Sequence, residues 1–211
     1  MAQYFVVHPT HPQHRLMRQA AALLGQGGVI AYPTDSSYAL ACRIDDVDAI
    51  RRIRALRRVD ERHHLALMCR DLGDIGRFAR LDNWQFTIVR QGVPGSFTFL
   101  LPASREVPRK VQHARRNTVG VRVSDHPVVA ALLDELGAPM VTSTLLLPGE
   151  SVPQNDPAAI RDRVGPQLDL IIDAGPCPNE PTTVIDLAVD PPVIVRQGRG
   201  DARRLGLAAA S

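Results

Sequence analysis

The densest row of side chains able to do chemistry lies between residues 33 and 41. An apolar run, residues 29–31, leads into Tyr32-Pro33, and Thr34-Asp35-Ser36-Ser37-Tyr38 follows directly. Hydroxyls and a carboxylate at the end of a predicted strand suit ligand binding, because ligands of open α/β sheets sit at strand ends. The alternative interpretation is a strand-to-helix turn in which Thr34 and Asp35 bond only nearby backbone.

A second group consists of arginines on one predicted helix, which Asp46 caps. At about 100° per residue, Arg51, Arg54 and Arg58 share a face that we expect to be solvated, whereas Arg57 lies on the other side. In the last turn, Arg57 is placed either to reach an anion or to complement the helix dipole. The helix therefore offers one candidate anion ligand, Arg57.

A third group follows from strand alternation over residues 118–123. Three valines face one way, toward the expected core, and Thr118, Gly120 and Arg122 face the other. A face of hydroxyl, bare backbone and guanidinium suits a bound ligand, with Gly120 permitting close approach; the alternative is an ordinary exposed sheet face. Because a buried unpaired cation is costly, we expect a substrate carboxylate or phosphate to pair with Arg122. Arg122→Ala should then abolish ligand binding and leave the fold intact.

The late strands contribute hydroxyls and another arginine. They carry Thr142-Ser143-Thr144, Pro181-Thr182-Thr183 and Arg196-Gln197-Gly198. His63-His64 are expected to be structural or superficial, because adjacent residues of an extended segment point apart. The sequence assembles no Ser/His/Asp triad, paired carboxylates or P-loop lysine, so no catalytic residue is assigned. Hydroxyls, glycines and arginines together favour binding of a nucleotide or phosphate.

Composition narrows the class of protein. The 211 residues are 45% apolar and 22% charged, as in globular domains, and no apolar run approaches the ~20 residues of a membrane span. The start of the chain lacks the pattern of a signal peptide. Three cysteines without a C-x-x-C pair predict reduced thiols, a cytoplasmic protein and no metal held by side chains. All but one of the 25 basic residues are arginine, which offers forked donors to phosphates.

Apolar periodicity and turn residues predict alternating strands and helices, with adjacent strands late in the chain. The predicted strands cover residues 4–7, 29–32, 65–69, 97–101, 118–123, 140–144, 168–172, 183–187 and 193–196. The predicted helices cover residues 12–24, 47–58, 71–79, 84–91, 126–136 and 156–164. This order predicts one α/β domain over 1–211, with a core of about 12–200 and a loosely ordered tail over 201–211. We expect a twisted mixed sheet of parallel and antiparallel strands with helices packed on it.

These motifs, in this order, resemble the YrdC/YciO family of threonylcarbamoyl-AMP synthases, and most closely its YciO branch. Residues 33–41 are similar to the family's P-T-D-T-x-Y-G-L-G, and residues 92–100 to its W-P-G-P-x-T-x-I-L. Residues 118–127 are similar to T-x-G-V-R-x-P-D-H-P, and residues 181–187 and 195–198 to S-T-V-V-D-L and L-R-x-G. The resemblance implies a YrdC-like fold around a concave basic cavity. It also implies condensation of L-threonine, bicarbonate and ATP, with Mg²⁺, to threonylcarbamoyl-AMP and pyrophosphate for tRNA modification.

The resemblance also implies roles for individual residues. Contacts to threonine or its carbamoyl group fall on Ser36, Arg122, Ser143 and Thr182. Contacts to the nucleotide fall on Arg57, Thr118 and Arg196.

Two family motifs are altered in this chain. K-x-R falls on Arg57-Arg58-Val59, and S-x-N falls on Ser143-Thr144-Leu145. Loss of an arginine and an asparagine removes hydrogen bonds worth about 1.5–3 kcal/mol each. We therefore expect weak forward synthesis.

Two alternatives to synthesis remain open. One is hydrolysis of a related adenylate. The other is binding of double-stranded RNA or tRNA, which the family is described as binding, without synthase activity. Its contact candidates are Arg51, Arg54, Arg58, Arg105, Arg109, Lys110, Arg115 and Arg116.

Overall fold

A computed structural model describes residues 2–207 as an α/β domain built on one mixed ten-stranded sheet. The strands are β1 (Gln3–Val6), β2 (Ile30–Pro33), β3 (Tyr38–Arg43), β4 (Ala66–Met68), β5 (Phe97–Pro102), β6 (Thr118–Arg122), β7 (Met140–Thr144), β8 (Leu170–Asp173), β9 (Thr183–Asp186) and β10 (Val193–Arg196). The helices are α1 (His14–Gly25), α2 (Val47–Arg57), α3 (Leu72–Phe78), α4 (Asn83–Gly92), α5 (Pro127–Leu136) and α6 (Pro157–Val164). The predicted fold class is confirmed.

Local sequence accounts for several element boundaries. Asp46 caps α2 as predicted, its carboxylate accepting a hydrogen bond of 2.8 Å from the Ala49 amide. Pro127 occupies the first turn of α5, where it costs no intrahelical hydrogen bond. Gly137 ends α5 with φ near 69°, in the left-handed region that glycine adopts without strain.

The segment that follows Pro33 differs from the prediction. It is a turn between two antiparallel strands, with Ile30 opposite Ala41 and Pro33 opposite Tyr38, and no helix follows directly. Strand β3 was not predicted, because it contains no β-branched residue and two alanines, a residue type that is depleted in strands. The turn therefore joins the ends of two inner strands of the sheet.

Strand order places the residues of interest side by side. The order is β1-β8-β2-β3-β7-β4-β6-β5-β9-β10, with β4 parallel to β6 and β5 antiparallel to it. Two apolar clusters cover the sheet: one contains Val119, Val121 and Val123, and the other includes the buried sides of α1 and α5. The three valines thus pack in the core as predicted, which leaves Gly120 and Arg122 on the opposite face.

Residues 201–207 are more ordered than predicted. A 3-10 helix covers Ala202–Leu205, and Leu205 is buried in the core. The predicted loose tail is therefore wrong for 201–207, and its remaining residues, 208–211, lie outside the described part of the chain. Among residues 2–207, no helix has both the length and the apolar character needed to cross a membrane.

Candidate functional site

A cavity of about 560 Å³ opens on six consecutive strands, β7, β4, β6, β5, β9 and β10. Its lining contains four arginines, two histidines and several hydroxyl groups, and no aspartate or glutamate. The four arginines are Arg57, Arg62, Arg122 and Arg196. A concave wall that carries several guanidinium groups and no lining carboxylate selects for anions.

The turn between β2 and β3 supports this cavity from behind. Thr34 bonds local backbone, because its Oγ1 donates to the Ser37 carbonyl at 2.7 Å and accepts from the amides of Ser36 and Ser37. Asp35 does not stay local: its carboxylate accepts hydrogen bonds from the hydroxyls of Ser96, at 2.6 Å, and Ser124. The turn interpretation therefore holds for Thr34, whereas Asp35 joins distant parts of the chain.

Arg122 already has a partner within the protein. Its Nη2 donates to Asp35 Oδ1 at 2.7 Å, and both side chains are only 5–6% exposed. The protein thus supplies an anionic partner of its own, in the interior rather than on the outer surface, and the contact of Arg122 with a substrate anion stays a prediction. The Nε atom of Arg122 is buried without a hydrogen-bond partner. Arg122 therefore retains an unused donor beside the cavity.

Burial and the neighbouring donors have opposite effects on the pKa of the Asp35 carboxyl. Burial favours the neutral acid and by itself raises the pKa. The Arg122 guanidinium and the Ser124 and Ser96 hydroxyls outweigh burial and hold the pKa of Asp35 below its ordinary value. The pair is therefore ionised at neutral pH.

Arg57 reaches the same cavity from the end of α2. Its Nη1 donates to Ser143 Oγ at 2.8 Å and contacts His63 Nε2 at 3.3 Å, while its Nε donates to the Leu146 carbonyl at 3.3 Å. Burial, assisted by the Arg196 charge, lowers the pKa of Arg57 to about 10, so the guanidinium stays protonated at pH 7. No carboxylate pairs with it among residues 2–207.

Arg196 enters from β10, on the far side of the sheet order. Its Nε and Nη2 both donate to the Thr182 carbonyl, at 3.1 and 2.9 Å, and Thr182 Oγ1 lies 2.8 Å from Thr98 Oγ1. Burial, followed by the Arg122 charge, lowers the pKa of Arg196. Arg57 and Arg196 are thus held by neutral acceptors, which leaves their charges available to a ligand.

Five of the seven ligand contacts expected from the resemblance line this cavity. They are Arg57, Arg122, Ser143, Thr182 and Arg196. Ser36 is not in the lining; it is buried 3.3 Å behind Arg122 Nη2. Thr118 is also outside the lining, and its Oγ1 lies 3.1 Å from His64 Nε2. Each of the two therefore contacts a residue of the lining rather than the cavity itself.

The structure adds residues that were not among the predicted ligand contacts. His63 and His64 both line the cavity, which corrects the prediction that they are structural or superficial. They precede β4 in an irregular segment rather than within an extended strand, so alternation does not separate them. Arg62 and the hydroxyls of Thr98 and Thr142 line the cavity as well. For residues 62–64, the signal in the sequence was their position directly before an apolar strand.

Gly120 lies in the lining, as expected, but a neighbouring strand also needs the space it leaves. A Cβ atom at this position would sit 3.1 Å from Ala66 Cβ and 3.2 Å from the Leu65 carbonyl oxygen. Glycine here therefore permits close packing of β4 against β6, besides exposing backbone to the cavity.

The RNA-contact candidates do not converge on this cavity, since none of them is in its lining. Arg54 is buried and donates hydrogen bonds to the carbonyls of Asp60 and His63. The prediction that Arg54 lies on a solvated helix face is therefore wrong. Three others pair with acids: Arg51 with Asp48, Lys110 with Glu61, and Arg116 with Asp186. Arg58 and Arg115 are exposed outside the cavity, and Arg105 and Arg109 line a separate groove of about 1060 Å³, together with Arg77 and Arg80.

Comparison with known proteins assigns the chain to a family. A family model described as Sua5/YciO/YrdC, telomere recombination, matches residues 22–198. The chain belongs to the Sua5/YciO/YrdC family. It is 45% identical over 203 residues to the Escherichia coli (strain K12) protein called uncharacterised protein YciO, covering 96% of this chain and 98% of that one. The crystal structure of E. coli YciO superposes with a TM-score of 0.95, covering 97% of this chain and 100% of that chain.

More distant relatives carry functional names. A threonylcarbamoyl-AMP synthase of Halorhodospira halophila is 39% identical over 158 residues, 74% of this chain and 81% of the relative. The crystal structure of P. abyssi Sua5 complexed with L-threonine superposes with a TM-score of 0.85 at 24% identity, covering 92% of this chain and 57% of that chain. The second likeness establishes the shared fold.

Proposed function

We propose that the cavity binds a threonylcarbamoyl adenylate, an AMP joined to a carboxylate-bearing amino acid, and that synthesis of it from threonine, bicarbonate and ATP is slow. The observation that carries the proposal is a cavity wall with four arginines and no carboxylate. Arg57 and Arg196, held by neutral groups, suit a phosphate, and Arg122, which also lines the cavity, suits the amino-acid carboxylate. The synthase among the relatives and the threonine bound by the Sua5 relative support this ligand class.

The altered motifs account for slow synthesis. Leu145, which stands where S-x-N has its asparagine, is fully buried in the core and does not line the cavity. Val59, which stands where K-x-R has its arginine, is also outside the lining. The donors that these two positions would supply for a triphosphate are therefore missing. The contacts offered by Arg57, Arg196 and Arg122 suit one phosphate and one carboxylate.

A magnesium ion fits this site only when it is bound to the phosphates of the nucleotide. Among residues 2–207, no group of three or more His, Cys, Asp or Glu side chains could hold a metal ion. We propose that Mg²⁺ enters on the phosphates of ATP, where it neutralises charge that an arginine at position 59 would otherwise balance.

Pyrophosphate release tests the direction of the reaction. The pure protein is incubated with threonine, bicarbonate, ATP and Mg²⁺, and pyrophosphate is measured over time, while binding of threonylcarbamoyl-AMP is followed separately by calorimetry. We expect tight adenylate binding with pyrophosphate release close to background. Rapid release would contradict slow synthesis, and absence of adenylate binding would contradict the proposed function.

A second function, binding of RNA, is favoured by the separate groove. Arg80, Arg105 and Arg109 line it and form no ion pair among residues 2–207, whereas Arg77 pairs with Glu106 at 3.2 Å. Phosphate contacts made by such arginines weaken steeply as salt rises. Arg109→Ala should reduce the salt dependence of double-stranded RNA binding by about one ion per site, with Arg51→Ala as a control whose charge is already paired. Equal salt slopes for the two variants would exclude the groove.

A further inference from the structure

Among the groups that line the cavity, only the histidines can accept a proton at neutral pH, since the lining has no carboxylate. His63 lies beside Arg57 and Ser143, the pair that the proposed function assigns to phosphate binding. A guanidinium only donates, so His63 Nε2 accepts from Arg57 Nη1 across 3.3 Å, and the ring proton resides on Nδ1. A basic lone pair therefore faces the phosphate-binding arginine.

The neighbouring His64 already contacts two other residues, Thr118 and His113. Its Nε2 lies 3.1 Å from Thr118 Oγ1, and its ring stacks on His113 with centroids 4.4 Å apart. His64 thus has a fixed hydrogen-bond partner and a fixed ring plane. Of the two histidines, only His63 has a basic nitrogen that becomes free when a ligand takes over its hydrogen-bond donor, Arg57.

We propose that His63 is a general base with which this chain hydrolyses the adenylate that it binds. The inference rests on the proposed function. A ligand phosphate is a stronger acceptor for Arg57 than a neutral imidazole, so binding draws the guanidinium away and frees His63 Nε2 for a water molecule.

The reaction balances with water as the sole co-reactant. The water oxygen forms a bond to the carbamoyl carbon, and one water proton passes to His63 Nε2. The bond between that carbon and the bridging phosphate oxygen breaks, and the electron pair leaves with AMP. His63 returns the proton to the departing phosphate, and the N-carboxythreonine product loses carbon dioxide to give threonine.

The charges around His63 keep its imidazole neutral. Burial is the main cause, and Arg57, Arg54, His64 and Arg196 add positive charge, so that the pKa of His63 falls to about 4. Hydrolysis, expressed as kcat/KM, should accordingly be level between pH 6 and 8 and decline only as the pH approaches that value. A base of ordinary histidine pKa would instead lose activity below about pH 6.5.

The test follows AMP release from synthetic threonylcarbamoyl-AMP by the full-length protein. His63→Gln should lower the rate about 100-fold or more, whereas AMP affinity measured by calorimetry should change little. His14→Gln, which changes an exposed histidine of α1 outside the cavity lining, should hydrolyse like the parent protein. Free imidazole should restore part of the rate to His63→Ala, which no structural role of the ring explains.

Each outcome separates the two proposals. Parent protein that binds the adenylate without releasing AMP faster than buffer would overturn the inference and keep the proposed function. Parent protein that binds neither AMP nor the adenylate would overturn the proposed function itself. Normal hydrolysis by His63→Gln, or loss of rate in folded His63→Ala with no rescue by imidazole, would overturn the role of His63.

Discussion

Arg122 and Arg196 contribute guanidinium groups to one cavity, but their surroundings differ. Arg122 shares a buried ion pair with Asp35, which Ser96 and Ser124 also hold. Arg196 has only the carbonyl and hydroxyl of Thr182 and lies close enough to Arg122 for the two charges to oppose each other. One end of the cavity is therefore compensated by the protein, and the other is left for a ligand. Under the proposed function, the first end would serve stability as well as binding, and the second end would serve binding.

Removal of Arg122 should have the largest effect of the variants considered. Arg122→Ala leaves the Asp35 carboxylate buried without its cation, which costs about 3–5 kcal/mol of unfolding free energy. This result, measured by urea denaturation, would reverse the sequence-based expectation that the variant keeps its stability. The double variant Asp35→Ala/Arg122→Ala should regain part of the loss, because no unpaired charge remains. Equal instability of the single and double variants would show that the ion pair is not the cause.

Removal of Arg196 should affect binding far more than folding. Arg196→Ala deletes a charge that no carboxylate compensates in the described structure, so we expect unfolding free energy to change by less than about 1 kcal/mol. Adenylate affinity should fall by about 1.5–3 kcal/mol, the value of hydrogen bonds to a charged group. Calorimetry and thermal denaturation on the same sample check both parts. A stability loss comparable to that of Arg122→Ala would remove the distinction between the two ends.

Acid should weaken the Arg122 end selectively. The pKa of Asp35 is lower in the folded protein than in the unfolded chain, so its contribution to stability is present above about pH 3.9 and is lost as pH falls below that value. Asp35→Asn lacks this titration. The difference in unfolding free energy between parent and Asp35→Asn should therefore shrink between pH 5 and the acid limit of folding, in a denaturant titration at each pH. A constant difference would mean that Asp35 does not titrate with folding.

Sequence patterns were sufficient for most of the fold because each element carries its own local signal. Helix α5 shows this well: Pro127 and Gly137 mark its ends, and both boundaries are where the sequence predicts them. Strand β3 was missed because it has no β-branched residue, and residues 39–42 are small or apolar without a marked period. Strands that are equally buried, such as β2 and β5, were predicted because they contain Ile, Thr or aromatic residues.

The candidate site depends on contacts between residues that are distant in the sequence, which local patterns do not encode. Alternation correctly placed Gly120 and Arg122 opposite the valines of β6, and the family motifs indicated Arg57 and Arg196. The Asp35–Arg122 pair joins residues 87 positions apart, and no spacing rule connects them. Arg54 illustrates the reverse case, since helical periodicity put it on an exposed face but the segment 60–63 folds back and covers it. Long-range contacts set both outcomes.

The central claim is that arginines of this cavity bind the phosphate of an AMP-type nucleotide. Calorimetric titration of the parent protein and of Arg196→Ala with AMP tests it most directly, since AMP carries the phosphate without the triphosphate that the altered motifs disfavour. We expect saturable one-to-one binding by the parent protein and a loss of about ten-fold or more in affinity for folded Arg196→Ala. Absence of heat with the parent protein, or equal affinity in both proteins, would contradict it.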